Sequence, residues 1–142
     1  MRELKFRAWD KKDKFFIDNG ALQFGADGKI YYINAGLEYG EPVLEREDIT
    51  DEVIVEQYTG LKDKNGKEIY EGDIVKTTSR ITRKGSIFNH GVIEFKQRAF
   101  WICNYPTKSK DFSHNELMLE YCELDLEIIG NIHENPELLE EK

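Results

Sequence analysis

Turn signals that fall between short apolar runs are the feature of this sequence that most restricts its fold. Asp27-Gly28 separates the run Ala21–Phe24 from the run Lys29–Ile33, and Asn65-Gly66 separates two further runs. Both dipeptides favour hairpins, because Gly adopts positive φ without steric cost and a type I′ turn needs positive φ at both central residues. The sequence therefore predicts a chain of short strands joined by tight turns.

Eight to ten such strands are predicted along the chain. Residues 4–9 alternate between apolar and polar side chains, which is the period of a half-buried strand. The other predicted strands are 15–17, 21–24, 29–33, 53–58, 73–78, 92–95, 99–105, 117–121 and 126–132.

Helix is predicted only in single turns. Residues 34–48 and 79–90 are predicted as loops, with one helical turn near Glu45–Ile49. Asn135-Pro136 predicts a last helical turn, because Asn is a good cap and Pro fits the first helical position. The fold class is thus mainly β, with little helix.

The strands divide into two groups. The five strand segments after Gly72 predict a small, closed, SH3-like barrel over residues 71–135. Residues 1–70 are predicted as β-hairpins packed with this barrel, and residues 136–142 as a short helical and acidic tail.

Charge is distributed unevenly over this acidic chain. The net charge is −8, but residues 76–115 carry eight basic and two acidic side chains, or +6, which leaves −14 for the remainder. Such a chain is not expected to bind nucleic acid with its whole surface, although one basic face is suited to it.

The basic stretch 76–110 supplies the only candidate contact site. Its cations are interleaved with aromatic residues, as on a single-stranded nucleic-acid platform where charges follow phosphates and rings stack on bases. The alternative is that the aromatic residues fill the barrel core and the cations only keep its outside soluble. The candidate contact residues are Arg80, Arg83, Lys84, Lys96, Arg98 and Trp101.

Residue types that carry chemistry are few and poorly spaced. The two cysteines, Cys103 and Cys122, are predicted to be reduced thiols, with Cys103 packed on a strand face beside Trp101. The three histidines, His90, His114 and His133, have no further ligands at metal-binding spacing. We expect no catalytic residues, no metal and no cofactor, and the chain is not predicted to be an enzyme.

Four longer segments resemble a known family. They are Lys5–Asp10, Gln57–Val75 (QYTGLKDKNGKEIYEGDIV), Gly91–Phe95 and Leu126–Leu139 (LEIIGNIHENPELL). Together they resemble the YopX family of phage and prophage proteins. The resemblance implies a phage or prophage origin, a β-rich fold with a barrel-like C-terminal part, and self-association. It implies no catalytic residues.

Two functional hypotheses follow. The first is a non-enzymatic accessory or protein-binding module of a phage, with a protein partner that the sequence does not name and with homo-oligomers. The second is a weak single-stranded nucleic-acid-binding module that uses the basic stretch 76–110. No apolar stretch approaches the roughly 20 residues that span a bilayer, and the N-terminus lacks the apolar core of a signal peptide. We therefore expect no membrane contact and a location in the cytoplasm of the bacterial host.

Overall fold

The structure, a computed structural model, describes residues 3–77, 90–104, 116–118 and 126–140. The chain divides into two compact units. The N-terminal unit is Phe6–Glu56, and the C-terminal unit is Met1–Lys5 together with Gln57–Lys142. The predicted division into a hairpin region (residues 1–70), a barrel region (71–135) and a tail (136–142) stays a prediction.

Four strands and part of a fifth build the N-terminal unit. They are β1 (Phe6–Asp10), β2 (Leu22–Phe24), β3 (Ile30–Glu38), β4 (Glu41–Asp48) and the beginning of β5 (Val53–Lys62). β2, β3 and β4 form an antiparallel sheet in that order, and β1 neighbours β5 in a second sheet. The predicted returning strand at 15–17 is reduced to one bridge, between Phe16 and Trp9.

A small apolar cluster and a buried ion pair hold this unit together. The cluster consists of Ala8, Ile17, Ile30, Ile49 and Val53. The Arg7 guanidinium donates to the Glu56 carboxylate over 2.7 Å and lies 4.4 Å from the centre of the Phe16 ring. Because both charged side chains are largely buried, each needs the other to offset its loss of hydration.

The structure contradicts the loop and helical turn predicted for residues 34–48. This segment forms the outer part of the β3–β4 hairpin, which turns at Tyr39-Gly40 with positive φ at both residues. Neither face of the outer half of this hairpin is buried. Its residues were therefore not selected to fill a core, and the sequence shows no alternation of apolar and polar residues there. Gly36 and Pro42 are typical of loops, yet here they lie within strands.

The C-terminal unit contains an antiparallel sheet of five strands. These are β7 (Asp73–Thr77), β8 (His90–Lys96), β9 (Ala99–Asn104), β10 (Glu116–Met118) and β11 (Leu126–Asn131). Their order is β10-β9-β8-β7-β11, so four consecutive strands form a meander and the last lies beside the first. The mainly β class is confirmed. Among the described residues no pairing closes this sheet, and the SH3-like barrel stays a prediction.

A cluster of buried apolar residues covers one face of this sheet. Ile93 and Ile102 are cross-strand partners, and they pack with Val75, Leu126 and Ile69. Ile69 comes from β6 (Glu68–Tyr70), which pairs with the second part of β5. The β5–β6 hairpin, and with it the Asn65-Gly66 turn, therefore belongs to the C-terminal unit.

The turns at Asn65-Gly66 and Asp27-Gly28 are confirmed, but they are not of type I′. Only the glycines have positive φ, 82° at Gly66 and 80° at Gly28. At the first turn Gly66 N donates to Asp63 O, and Asp63 N donates to Lys67 O. These hydrogen bonds are typical of a hairpin loop longer than two residues, in which the last loop residue has a left-handed backbone conformation.

The predicted helical turn at the C-terminal end is present as a 3-10 turn, Pro136–Leu139. Pro136 begins it as expected, but the Asn135 side chain makes no capping hydrogen bond. Its Oδ1 instead accepts from Asn131 N over 3.3 Å. A Cβ on Gly130 would come within 2.5 Å of that oxygen, so this approach requires glycine at position 130.

Candidate functional site

The end of the β8–β9 hairpin carries the described part of the predicted contact site. Lys96 and Ala99 are paired, so the loop has only two residues, Gln97 and Arg98. Their φ values are 49° and 64°, the pattern of a type I′ turn. The tight turn predicted at 96–98 is confirmed, and it leaves Arg98 exposed at the tip.

Aromatic rings lie on both faces of this hairpin end. Trp101 is half-buried, faces Glu94 across the strands, and donates from Nε1 to Lys96 O over 2.9 Å. On the other face Phe95 and Phe100 make an edge contact with ring centres 5.0 Å apart. Phe95 remains 48% exposed. The hairpin end therefore combines one exposed ring and two half-buried rings with two cations.

The structure brings together half of the predicted contact residues. Lys96, Arg98 and Trp101 lie within one hairpin end, whereas Arg80, Arg83 and Lys84 lie outside the described residues. The described hairpin itself carries Lys96 and Arg98 against Glu94. Its charge is thus only weakly positive, and the predicted patch depends on the segment 78–89.

Cys103 has the environment of a packed thiol. It is buried on β9 opposite Val92. Burial first, and then the nearby Glu94 carboxylate, raise the pKa of the Cys103 thiol to about 11. At neutral pH the group is therefore protonated and is neither a nucleophile nor a good metal ligand. Cys122 lies outside the described residues.

His90 and His133 are the histidines among the described residues. Across residues 3–77, 90–104, 116–118 and 126–140, no three His, Cys, Asp or Glu side chains converge as metal ligands do. In the same ranges the Nε2 atom of His90 is buried without a hydrogen-bond partner. The His133 amide donates to the Asn131 side chain in the turn that follows β11. His114 is not among the described residues.

Asp63, which lies in the longest of the four distinctive segments, has a structural role. The buried Asp63 carboxylate accepts from Asn65 N and Lys67 N within its own turn, and from Ile128 N on β11. Burial acts to raise the pKa of Asp63, but the hydrogen bonds from Ile128, Lys67 and Asn65 together hold it below its ordinary value. This carboxylate joins the segment 57–75 to the segment 126–139.

Sequence reasoning missed a cavity in the N-terminal unit. It lies between the charged turn that follows β1 and the base of the β3–β4 hairpin, with Tyr32, Glu47 and Glu52 among its lining residues. In the sequence, the charged turn is typical of a solvated loop. The lining is completed by β3 and β4, and of these two strands only residues 29–33 were predicted. No local pattern connects these three stretches of chain.

Two solved structures are similar to this chain. One is protein EF1440 from Enterococcus faecalis, with a TM-score of 0.56, 25% identity, and 99% of this chain and 100% of that chain covered. The other is protein yopX from Bacillus subtilis, with a TM-score of 0.59, 22% identity, and 100% and 99% covered. No curated protein matches the chain. Within the described residues there is no helix of sufficient length and apolarity to cross a bilayer.

A family model supports the resemblance seen in the sequence. The model described as YopX protein matches residues 5–140 and so contains all four of the distinctive segments. Because the match extends over nearly the whole chain, the protein belongs to the YopX family.

Proposed function

We propose that this chain is a non-enzymatic accessory protein of a phage or prophage, which acts in the cytoplasm of the bacterial host through protein contacts and associates with copies of itself. The observation that carries the proposal is the outer half of the β3–β4 hairpin, residues 35–44, here called the hairpin arm. Its leucines and turn tyrosine are unusually exposed, with Leu37 at 75%, Leu44 at 70% and Tyr39 at 99%.

Four apolar side chains of the arm share one face. Ala35 pairs with Leu44 and Leu37 pairs with Pro42, so all four point to the same side of the two-stranded sheet. A two-stranded hairpin is at best marginally stable in water, and exposed apolar clusters of this kind mark interaction surfaces. This apolar face therefore gains stability when another surface covers it.

A second copy of the chain is the proposed occupant. A two-fold axis would place two identical apolar faces against each other, the commonest arrangement in oligomers. Pairing through the free edge of β4 is less favourable, because Pro42 lacks an N–H donor and charged side chains flank it. The contact is thus assigned to the face of the arm and not to its edge.

Sedimentation at increasing protein concentration tests the proposal. The unmodified chain should form dimers or larger species, and Leu37→Ser with Leu44→Ser should remain monomeric while keeping its far-UV circular dichroism spectrum. Leu4→Ser is the matched control, since Leu4 is 67% exposed outside the arm, and it should associate like the unmodified chain. A monomeric mass for the unmodified chain at the highest concentration would contradict self-association.

The second candidate function is weak single-stranded nucleic-acid binding, favoured by Phe95, Lys96, Arg98 and Trp101 at the β8–β9 hairpin end. For this function, the segment 78–89 would have to contribute its basic side chains to the site. The same segment would have to contribute to closing the C-terminal sheet into an SH3-like barrel. Polarisation titrations with labelled single-stranded DNA and RNA should then show binding that falls steeply with salt. Arg83→Glu with Lys84→Glu should abolish it, whereas Lys11→Glu with Lys12→Glu should not. No polarisation change at low salt would remove this candidate.

A further inference from the structure

The cavity in the N-terminal unit has an apolar lining that is only partly shielded from water. Its volume is about 640 Å³, within the range of ligand-binding pockets. Ile17 and Ile49 are buried members of the lining, whereas Phe15 and Tyr32 are exposed. The cavity therefore offers apolar contact area that is accessible from solvent.

Acidic side chains dominate the charged part of the lining. Seven of the twelve lining residues are charged, five of them acidic and two of them lysines. The Asp10 and Asp18 carboxylates accept backbone amides in their own turns. In the part of the chain that the structure describes, the carboxylates of Glu47 and Glu52 have neither a hydrogen bond nor an ion pair, so their charges are available to a ligand.

A second depression extends the cavity along the hairpin. It measures about 480 Å³ and shares Tyr32 and Glu47 with the first. These two residues are cross-strand partners, and the next pair on the same face, Asn34 and Glu45, also lines it. Arg46 touches this depression, but its guanidinium lies 3.8 Å from the centre of the Tyr31 ring. The two depressions form one elongated surface, here called the acidic groove.

We propose that the acidic groove binds an extended, basic segment of a protein partner, with a lysine or arginine side chain laid along the apolar lining and its cation beside Glu47 and Glu52. Lysine and arginine have an apolar stem and a charged end, which is the combination that this lining complements. The inference rests on the proposed function in protein contacts, but it concerns a different surface from the apolar face of the arm.

The shape and charge of the groove favour a protein segment over other ligands. Small-molecule pockets are compact and contain few charged groups, whereas this groove extends over two depressions and seven of the twelve residues that line its main cavity are charged. Phosphate groups are repelled by the excess of carboxylates, so nucleic acid is not the expected ligand. An extended peptide with alternating basic and apolar residues fits both depressions.

An NMR titration of the isotopically labelled full chain tests the inference. The probe is an acetylated peptide that alternates lysine and leucine, and the comparison peptides replace either lysine by glutamate or leucine by serine. The alternating peptide should shift the amide resonances of Ile17, Tyr32 and Ile49, and both comparison peptides should bind at least tenfold more weakly. Equal binding of either comparison peptide would contradict the inference, as would equally tight binding of free spermidine.

Paired charge-removing variants locate the site. Glu47→Gln with Glu52→Gln should raise the dissociation constant of the alternating peptide by about tenfold. Glu38→Gln with Glu41→Gln is the matched control, because it removes the same charge from a cross-strand pair near the tip of the hairpin, and it should leave the constant unchanged. If the peptide shifts only resonances of the hairpin arm, the acidic groove is not the site, while the proposed role in protein contacts remains.

Discussion

Asp63 shows how one side chain can organise residues that are far apart in sequence. Its carboxylate accepts two amides of its own turn at 2.9 Å each and the Ile128 amide at 3.1 Å. Asn at this position would keep one acceptor oxygen but present an amide group to a backbone N–H. We expect Asp63→Asn to lower the free energy of unfolding by about 1–3 kcal/mol at neutral pH. Urea denaturation measures this, with the exposed Asp51→Asn as a control that should change little.

The pH dependence of that difference has a definite sign. The pKa of Asp63 is below its ordinary value in the folded protein, so the folded state favours the ionised form. Its contribution is complete above the unfolded pKa of about 4 and is lost as the pH falls through the folded value. The stability difference between the unmodified chain and Asp63→Asn should therefore shrink on acidification below about pH 4. A difference that grows on acidification would contradict this assignment.

The turns of the hairpins show the limit of local sequence signals. Asn65-Gly66 is the strongest dipeptide signal for a type I′ turn, yet Asp63 recruits the turn amides into a longer loop. The pattern of two consecutive positive φ angles occurs instead at Tyr39-Gly40 and at Gln97-Arg98. At the latter turn the β8–β9 register imposes a two-residue loop on side chains that disfavour this conformation.

Replacing the Gln97-Arg98 turn by residues suited to it should stabilise the C-terminal unit. Non-glycine residues pay a steric cost in the left-handed region, whereas asparagine and glycine adopt it readily. We expect Gln97→Asn with Arg98→Gly to raise the free energy of unfolding by about 1 kcal/mol in urea denaturation. Arg98→Ala removes the same charge but keeps the steric cost of the left-handed backbone conformation, so it should not raise the free energy of unfolding. If Arg98→Ala raises the free energy of unfolding as much as the double substitution does, the loss of the positive charge, and not the backbone conformation, explains the increase.

The sequence predicted most of the elements that have a buried face. β1, β8 and β9 alternate or carry apolar runs because residues such as Ile93 and Ile102 are selected to fill a core. The outer part of the β3–β4 hairpin has no such constraint, and it was mistaken for a loop. The acidic groove was missed for a related reason. Its lining combines the turn after β1 with both strands of that hairpin, and the charged residues in each of these stretches are ordinary for a protein surface and do not by themselves indicate a site.

The charge of the whole molecule distinguishes the two proposed modes of association. The chain carries −8 in total, and residues 6–56, which include the hairpin arm, contain twelve acidic and six basic residues. Two copies that meet through the apolar face of the arm bring like charges together, and this repulsion opposes an attraction that is mainly apolar. Salt screens the repulsion without weakening apolar contact.

We therefore expect self-association to strengthen as the sodium chloride concentration rises from about 20 mM to about 500 mM, where the screening length falls to a few ångströms. The dissociation constant measured by sedimentation should fall several-fold, and the variant Leu37→Ser with Leu44→Ser should stay monomeric at every salt concentration. Association that weakens with salt would point instead to attraction between an acidic surface of one copy and a basic surface of another, such as the acidic groove and the stretch 76–110. In that case Glu47→Gln with Glu52→Gln would disrupt the dimer and the leucine substitutions would not.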